Sequence, residues 1–164
     1  MTHAELIEVA AAQLKRWRCM PICTEMVTQN RSGEIPDAIG WTARASILIE
    51  CKASRSDFLA DRDKLFRYIL PDRGVGDFRF YFTNPGVIVK EYEIPNGWGV
   101  YEVIDGKIKF KFGKRYSNAT DIPLPVPDPA RFQHRFRGQW NPSDRLYLRQ
   151  FQQERRHCLR QLCR

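Results

Sequence analysis

The chain has no apolar run approaching the roughly 18–20 residues that a membrane-spanning helix needs. It has no internal repeat, which excludes solenoids and propellers. Its 5 cysteines are odd in number and none falls in a C-x-x-C pair, so a disulfide scaffold is not expected and a reduced, cytoplasmic setting is. Cys19 and Cys23 lie far in sequence from His157, Cys158 and Cys163 and lack finger spacing, so zinc is not expected either. The first residues carry Glu5 and Glu8 and no apolar stretch ending in small residues, so no secretory signal is read. Acidic residues almost vanish late in the chain. Residues 131–164 hold only Asp144 and Glu154, against 9 arginines.

What remains is the composition of an ordinary folded domain. With 164 residues there is room for one core, and 43% hydrophobic with 28% charged residues argues against disorder. The net charge of +8 is uneven: residues 1–130 carry 18 Lys/Arg and 17 Asp/Glu, a net of +1, and residues 131–164 carry +7. A near-neutral body with a basic tail fits a polyanionic partner such as nucleic acid. The competing reading is a solvated basic helix.

Thr2 and Glu5 form a T-x-x-E capping box ahead of a helix to about Arg18, with Ile7, Ala10, Ala11, Leu14 and Trp17 on one side. Strand patterns follow over 22–30, 34–41 and 45–52, the first two joined by an Arg31-Ser32-Gly33 turn. In the third, Ser46-Ile47-Leu48-Ile49 reads as a mid-sheet segment covered on both faces. Ser54-x-x-Asp57 caps a second helix to about Tyr68. Phe78 to Phe82 is a further core strand, and strands near 98–103 and 107–112 flank an Asp105-Gly106 turn as a hairpin. The resulting domains are a core with its hairpin over 1–121, a proline-rich linker over 122–140, and a basic helix over 141–164 started by Asn141-Pro142-Ser143-Asp144.

Chemistry concentrates in Pro36-Asp37 and Glu50-Cys51-Lys52. Strand residues two apart share a face, so Glu50 and Lys52 project together with α-carbons about 7 Å apart. Asp37 can lie opposite them on the preceding strand. Two carboxylates on one sheet face suit Mg²⁺, which takes a few carboxylates plus waters and substrate phosphate oxygens. A neighbouring lysine adds a charge that can hold a water. Acid-x-Lys on a strand is also often a plain surface ion pair. Here it follows a buried run, where charges are costly and are usually kept for function.

With Pro36-Asp37, Ile49-Glu50-Cys51-Lys52-Ala53-Ser54-Arg55-Ser56-Asp57-Phe58, and then Asp61, Lys64 and Tyr68, the sequence resembles the PD-(D/E)-x-K nuclease superfamily and, more narrowly, the MmcB-like DNA-repair endonucleases. Ile94-Pro95-Asn96-Gly97-Trp98-Gly99-Val100 is similar to a segment after the last core strand of related nucleases. The resemblance spans about residues 4–112. It implies an α/β fold with a restriction-endonuclease-like core (helix, three strands, helix, strand) and a mixed central sheet, with the added hairpin and C-terminal helix beside it. It implies a Mg²⁺-dependent DNA endonuclease, with Mn²⁺ able to substitute. Asp37, Glu50 and the Cys51 backbone carbonyl would be metal ligands, and Lys52 would orient the attacking water.

Some members add a glutamate from the first helix, for which Glu8 is the candidate, Glu5 being read as the cap. Glu25 and Glu34 are read as hairpin charges. Arg55, Arg62 and Lys64 begin or line the second helix, where phosphate contact or solvation is open. In the last helix Leu148, Phe151, Leu159 and Leu162 form a stripe, and Arg145, Arg149, Arg156 and Arg160 occupy other faces. That leaves DNA backbone contact, docking on the core or on a second copy, and a protein partner all open. A homodimer rests on analogy with the superfamily. Outside catalysis, the alternative is a silent nucleic-acid- or partner-binding module on the same fold. A metal-dependent RNase is a third possibility.

Overall fold

The computed structural model describes residues 1–25, 35–42, 45–61 and 75–115. The proline-rich linker, the basic C-terminal helix and the tail of the second helix therefore lie outside the described residues. Helix α1 (His3–Arg16) starts where the capping box places it: Glu5 N–H donates to the Thr2 hydroxyl at 3.3 Å, and Thr2 N–H donates to the Glu5 carboxylate at 2.7 Å. Strands β1 (Ile22–Thr24), β2 (Ala38–Trp41) and β3 (Ser46–Lys52) follow, then α2 (Arg55–Ala60) and β4 (Phe78–Thr83). A 3-10 turn (Glu91–Glu93) leads to β5 (Trp98–Ile104) and β6 (Lys107–Gly113).

The strands form one mixed sheet in chain order, β1-β2-β3-β4-β5-β6. β3, β4 and β5 run parallel at its centre, and the outer pairings are antiparallel. The fold is mixed α/β. β5 and β6 make the expected hairpin, and their turn has both Asp105 (φ 50) and Gly106 (φ 71) in the left-handed region that a tight two-residue hairpin turn requires. The hairpin is no appendage, however, because β5 pairs with β4 from Arg79↔Trp98 to Thr83↔Glu102. Gly99 and Gly113 face each other across it. A Cβ on either would strike a backbone carbonyl, of Lys114 or of Trp98, so glycine is what lets these edges meet.

β2 begins four residues later than the pattern from Glu34 suggests. Pro36 has no N–H to give a ladder, and pairing with β3 starts only at Ala38↔Ile49. Every residue of β3 is buried, as its continuous apolar run implies. One face of the sheet carries Ile47, Ile49, Phe80, Phe82 and Tyr101 against Leu6, Ala10, Leu14 and Trp17 of the α1 region. The other carries Leu48, Tyr81, Trp98 and Val100 against Phe58 of α2. Among the cysteines, Cys19 and Cys51 are free thiols, and burial pushes the Cys19 thiol up to about 12. Cys23 is disulfide-bonded. No helix among the described residues is long and apolar enough to cross a membrane.

Candidate active site

The alternation of β3 decides what its last three residues do. Cys51 continues the α1 face with Ile47 and Ile49. Glu50 and Lys52 follow Leu48 onto the α2 face. Both are deeply buried, Glu50 at 1% and Lys52 at 5% exposure, which takes the pair out of the class of solvated surface ion pairs. Lys52 Nζ lies 3.7 Å from Glu50 Oε2. Two further carboxylates reach it from α2: Asp61 at 3.1 Å and Asp57 at 3.8 Å. The Ser54 cap sets this up. Its hydroxyl accepts from Asp57 N–H at 3.2 Å, fixing the start of the helix. Asp57 and Asp61, four residues apart, then fall on one side of the helix, toward β3. Asp61 is held from behind by the Tyr81 hydroxyl, which donates to its Oδ2 at 3.0 Å. Charges this deep are tolerated because they are paired and hydrogen-bonded together.

Asp37 stands just ahead of β2. Extending the Ala38↔Ile49 register by one residue sets it beside Glu50 on the adjacent strand. Its Oδ2 accepts from Cys51 N–H at 2.7 Å, and His3 Nε2 lies 3.3 Å from its Oδ1. The N–H and C=O of a strand residue point to the same edge, so the Cys51 carbonyl also faces Asp37, past the point where β2 has ceased to pair. Burial pushes the Cys51 thiol well above its usual range, and the charges of Asp37 and Glu50 add to that push. The two carboxylates thus stand on either side of Cys51, and the contacts fall into two groups. Asp37 is engaged by Cys51 and His3, and Lys52 by Glu50 and the α2 aspartates.

Among the described residues no three His, Cys, Asp or Glu side chains converge into a ready-made metal cage. The donors at this corner are two carboxylates and a carbonyl, all hard oxygens. That is a fit for Mg²⁺, which is commonly held by one or two protein carboxylates and completes its shell with waters and phosphate oxygens.

The remaining sequence candidates fall elsewhere. Glu8 lies on the exposed side of α1, and Glu25 is exposed at the end of β1. Arg62, Lys64, Arg145, Arg149, Arg156 and Arg160, together with Glu34, lie outside the described residues. Arg55 is engaged by the protein itself: its guanidinium forms a bidentate pair with Glu93 and donates to the Val87 carbonyl at 3.1 Å. Glu93 also accepts from the N–H groups of Val89 and Lys90, each at 3.0 Å. This fastens the loop after β4 to the first turn of α2. Arg55 and these backbone donors bring the Glu93 carboxyl down from 4.5 to about 2. A carboxylate with a depressed folded pKa stabilises the fold above its unfolded pKa and ceases to do so as pH falls through the folded one. The stability difference between wild type and Glu93→Gln is therefore expected to be constant above about pH 5 and to shrink steadily toward about pH 2, read by urea denaturation across that range. A difference that does not change with pH excludes the Arg55–Glu93 pair as a stabilising contact.

Several residues of this corner have no site role that the sequence alone assigned to them. Asp57 and Asp61 had a legible signal, their i, i+4 spacing behind a Ser cap. Tyr81 was visible only as one aromatic in an alternating strand. His3 had no spacing pattern, because it meets Asp37 across 34 residues of chain.

No family model matches the chain, and no curated protein matches it. Among solved structures it is similar to a protein of unknown function from Silicibacter pomeroyi, with a TM-score of 0.49 and 17% identity over 81% of this chain and 82% of that one.

Proposed function

We propose that the chain is a Mg²⁺-dependent DNA endonuclease, hydrolysing phosphodiester bonds in DNA repair, recombination or the processing of phage or mobile-element DNA. One observation carries this reading above the others: Glu50 and Lys52 are buried side by side at the end of a central strand, with Asp37 accepting from the Cys51 N–H that lies between them. Ligand sites of open α/β sheets favour the carboxyl ends of parallel strands, and β3 and β4 end here. The order helix, three strands, helix, strand is also the one implied by the resemblance to PD-(D/E)-x-K nucleases, which supports a restriction-endonuclease-like core.

In this reading Asp37, Glu50 and the Cys51 carbonyl would hold the cation. When bound there, a divalent cation would supply Lewis-acid stabilisation of charge developing on the phosphate and would favour ionisation of a water. Lys52 donates to the attacking water, and Glu50 and Asp61 hold its ammonium in place from two sides. The Asp61–Tyr81 hydrogen bond restrains the rotamer of Asp61, and so the place of Lys52. The basic segment 131–164 adds sequence-independent affinity for the DNA backbone. Mn²⁺ would substitute for Mg²⁺.

A second reading, a silent nucleic-acid- or partner-binding module, is favoured by a different observation. Three carboxylates lie within 4 Å of the Lys52 ammonium, enough negative charge to balance it without a substrate. One assay separates the two. Duplex, single-stranded and branched DNA, with RNA alongside, are incubated with the protein in Mg²⁺ or Mn²⁺ and in EDTA. DNA products that appear with metal and vanish with EDTA are expected. Their absence on every DNA substrate selects the binding module, and products from RNA alone select a ribonuclease.

A further inference from the structure

We propose that Thr83 is a positioning residue which, with Lys52, holds the water that attacks the phosphodiester; this rests on the nuclease reading above. Thr83 is the last residue of β4 and pairs in register with Lys52, the last residue of β3. Neighbouring strands lie about 4.8 Å apart, and alternate residues share a face. Thr83 therefore projects with Tyr81 onto the α2 face, in a row with Lys52, while Glu50 and Tyr81 form the row beneath.

Two unspent hydrogen-bonding capacities belong to paired residues of that row. The Thr83 side chain is fully buried, and its hydroxyl oxygen has no hydrogen-bond partner among the described residues. Most buried hydroxyls are satisfied, and one left over calls for a ligand, an ion or a water. Lys52 carries three N–H donors. Asp61, at 3.1 Å, is within hydrogen-bond distance, whereas Glu50 at 3.7 Å and Asp57 at 3.8 Å are held by charge and lie beyond it. The ammonium thus has donors to give to a further oxygen, and Thr83 is its register partner on the neighbouring strand. A buried water needs two to four polar partners, and this pair supplies two of them. The chemistry the water performs is balanced by itself. Its oxygen forms a bond to phosphorus as the bond from phosphorus to the leaving sugar oxygen breaks. One water proton passes to solvent, and the leaving oxygen takes one from solvent.

The test uses Thr83→Val, which keeps the shape and removes the hydroxyl, and Thr83→Ser, which keeps the hydroxyl. Crystals of the wild-type chain are expected to show water within hydrogen-bond distance of both Lys52 Nζ and Thr83 Oγ1, absent from Thr83→Val. In cleavage assays Thr83→Val is expected to lower kcat about 10- to 100-fold, the range for one hydrogen bond to a charged or reacting group, with KM within about twofold and with Thr83→Ser restoring most of the rate. Wild-type crystals without that water, or a Thr83→Val kcat within about twofold of wild type, would overturn the proposal. A wild-type protein that cleaves nothing overturns the nuclease reading alone, and the water density then decides whether Lys52 and Thr83 bind an oxygen between them.

Discussion

Lys52→Met is expected to cut metal-dependent DNA cleavage by about 10²–10⁴-fold, the range for loss of a positioned proton donor or acceptor. It is also expected to destabilise the fold. With the ammonium gone, Glu50, Asp57 and Asp61 face one another without the cation they share. Removing one partner of a buried ion cluster costs about 3–5 kcal/mol. Loss of activity in this variant alone would therefore be ambiguous, because misfolding produces the same result. The double variant Lys52→Met/Asp61→Asn resolves it. Neutralising the closest carboxylate is expected to return part of the lost stability while returning none of the cleavage. Urea denaturation and single-turnover cleavage on the same preparations read both quantities. Cleavage by Lys52→Met at the wild-type rate removes the lysine from the mechanism. Activity that returns together with stability in the double variant shows that Lys52 acts only by holding the fold.

Trp17→Ala is expected to produce the largest purely structural effect, a loss of about 3–5 kcal/mol. Trp17 is 2% exposed at the end of α1. Its ring lies 5.3 Å from that of Phe80, 6.3 Å from Phe82 and 6.1 Å from Tyr101, so a single side chain joins the helix to β4 and β5. The neighbours sit on hydrogen-bonded strands and cannot close over the space an alanine leaves, which puts the cost at the upper part of the range for aromatic truncation. A fall in urea midpoint with an unchanged denaturant slope is the expected signature. Cleavage measured where the variant remains folded is expected to match wild type, since Trp17 lies on the α1 face and Lys52 on the other. A midpoint within the error of wild type would show that α1 is not a structural partner of the sheet centre.

Local signals carried much of this fold. The Thr2–Glu5 box and the Ser54 cap were legible because a cap is a contact between residues three apart. The Asp105-Gly106 turn was legible because left-handed backbone selects a few residue types. β3 was legible because a run buried on both faces leaves no alternation to confuse it with an edge. The start of β2 was misplaced because Glu34 to Asp37 looks extended, while pairing depends on a partner that the sequence does not name. The integration of the hairpin was hidden for the same reason. Nothing in Trp98 to Val103 states that the strand runs parallel to Phe78 to Thr83.

The sequence by itself determined that Glu50 and Lys52 share a face, because the two-residue period of a strand is set by backbone geometry alone. It likewise determined the element order and the buried character of the strand that carries them. Only the tertiary structure decided which partners those charges meet. Asp61 from the next helix, Tyr81 from the parallel neighbour, and His3 beside Asp37 all arrive across long stretches of chain. Such meetings follow from sheet register and helix docking, which are properties of the whole packed molecule and leave no periodic trace in the residues that take part.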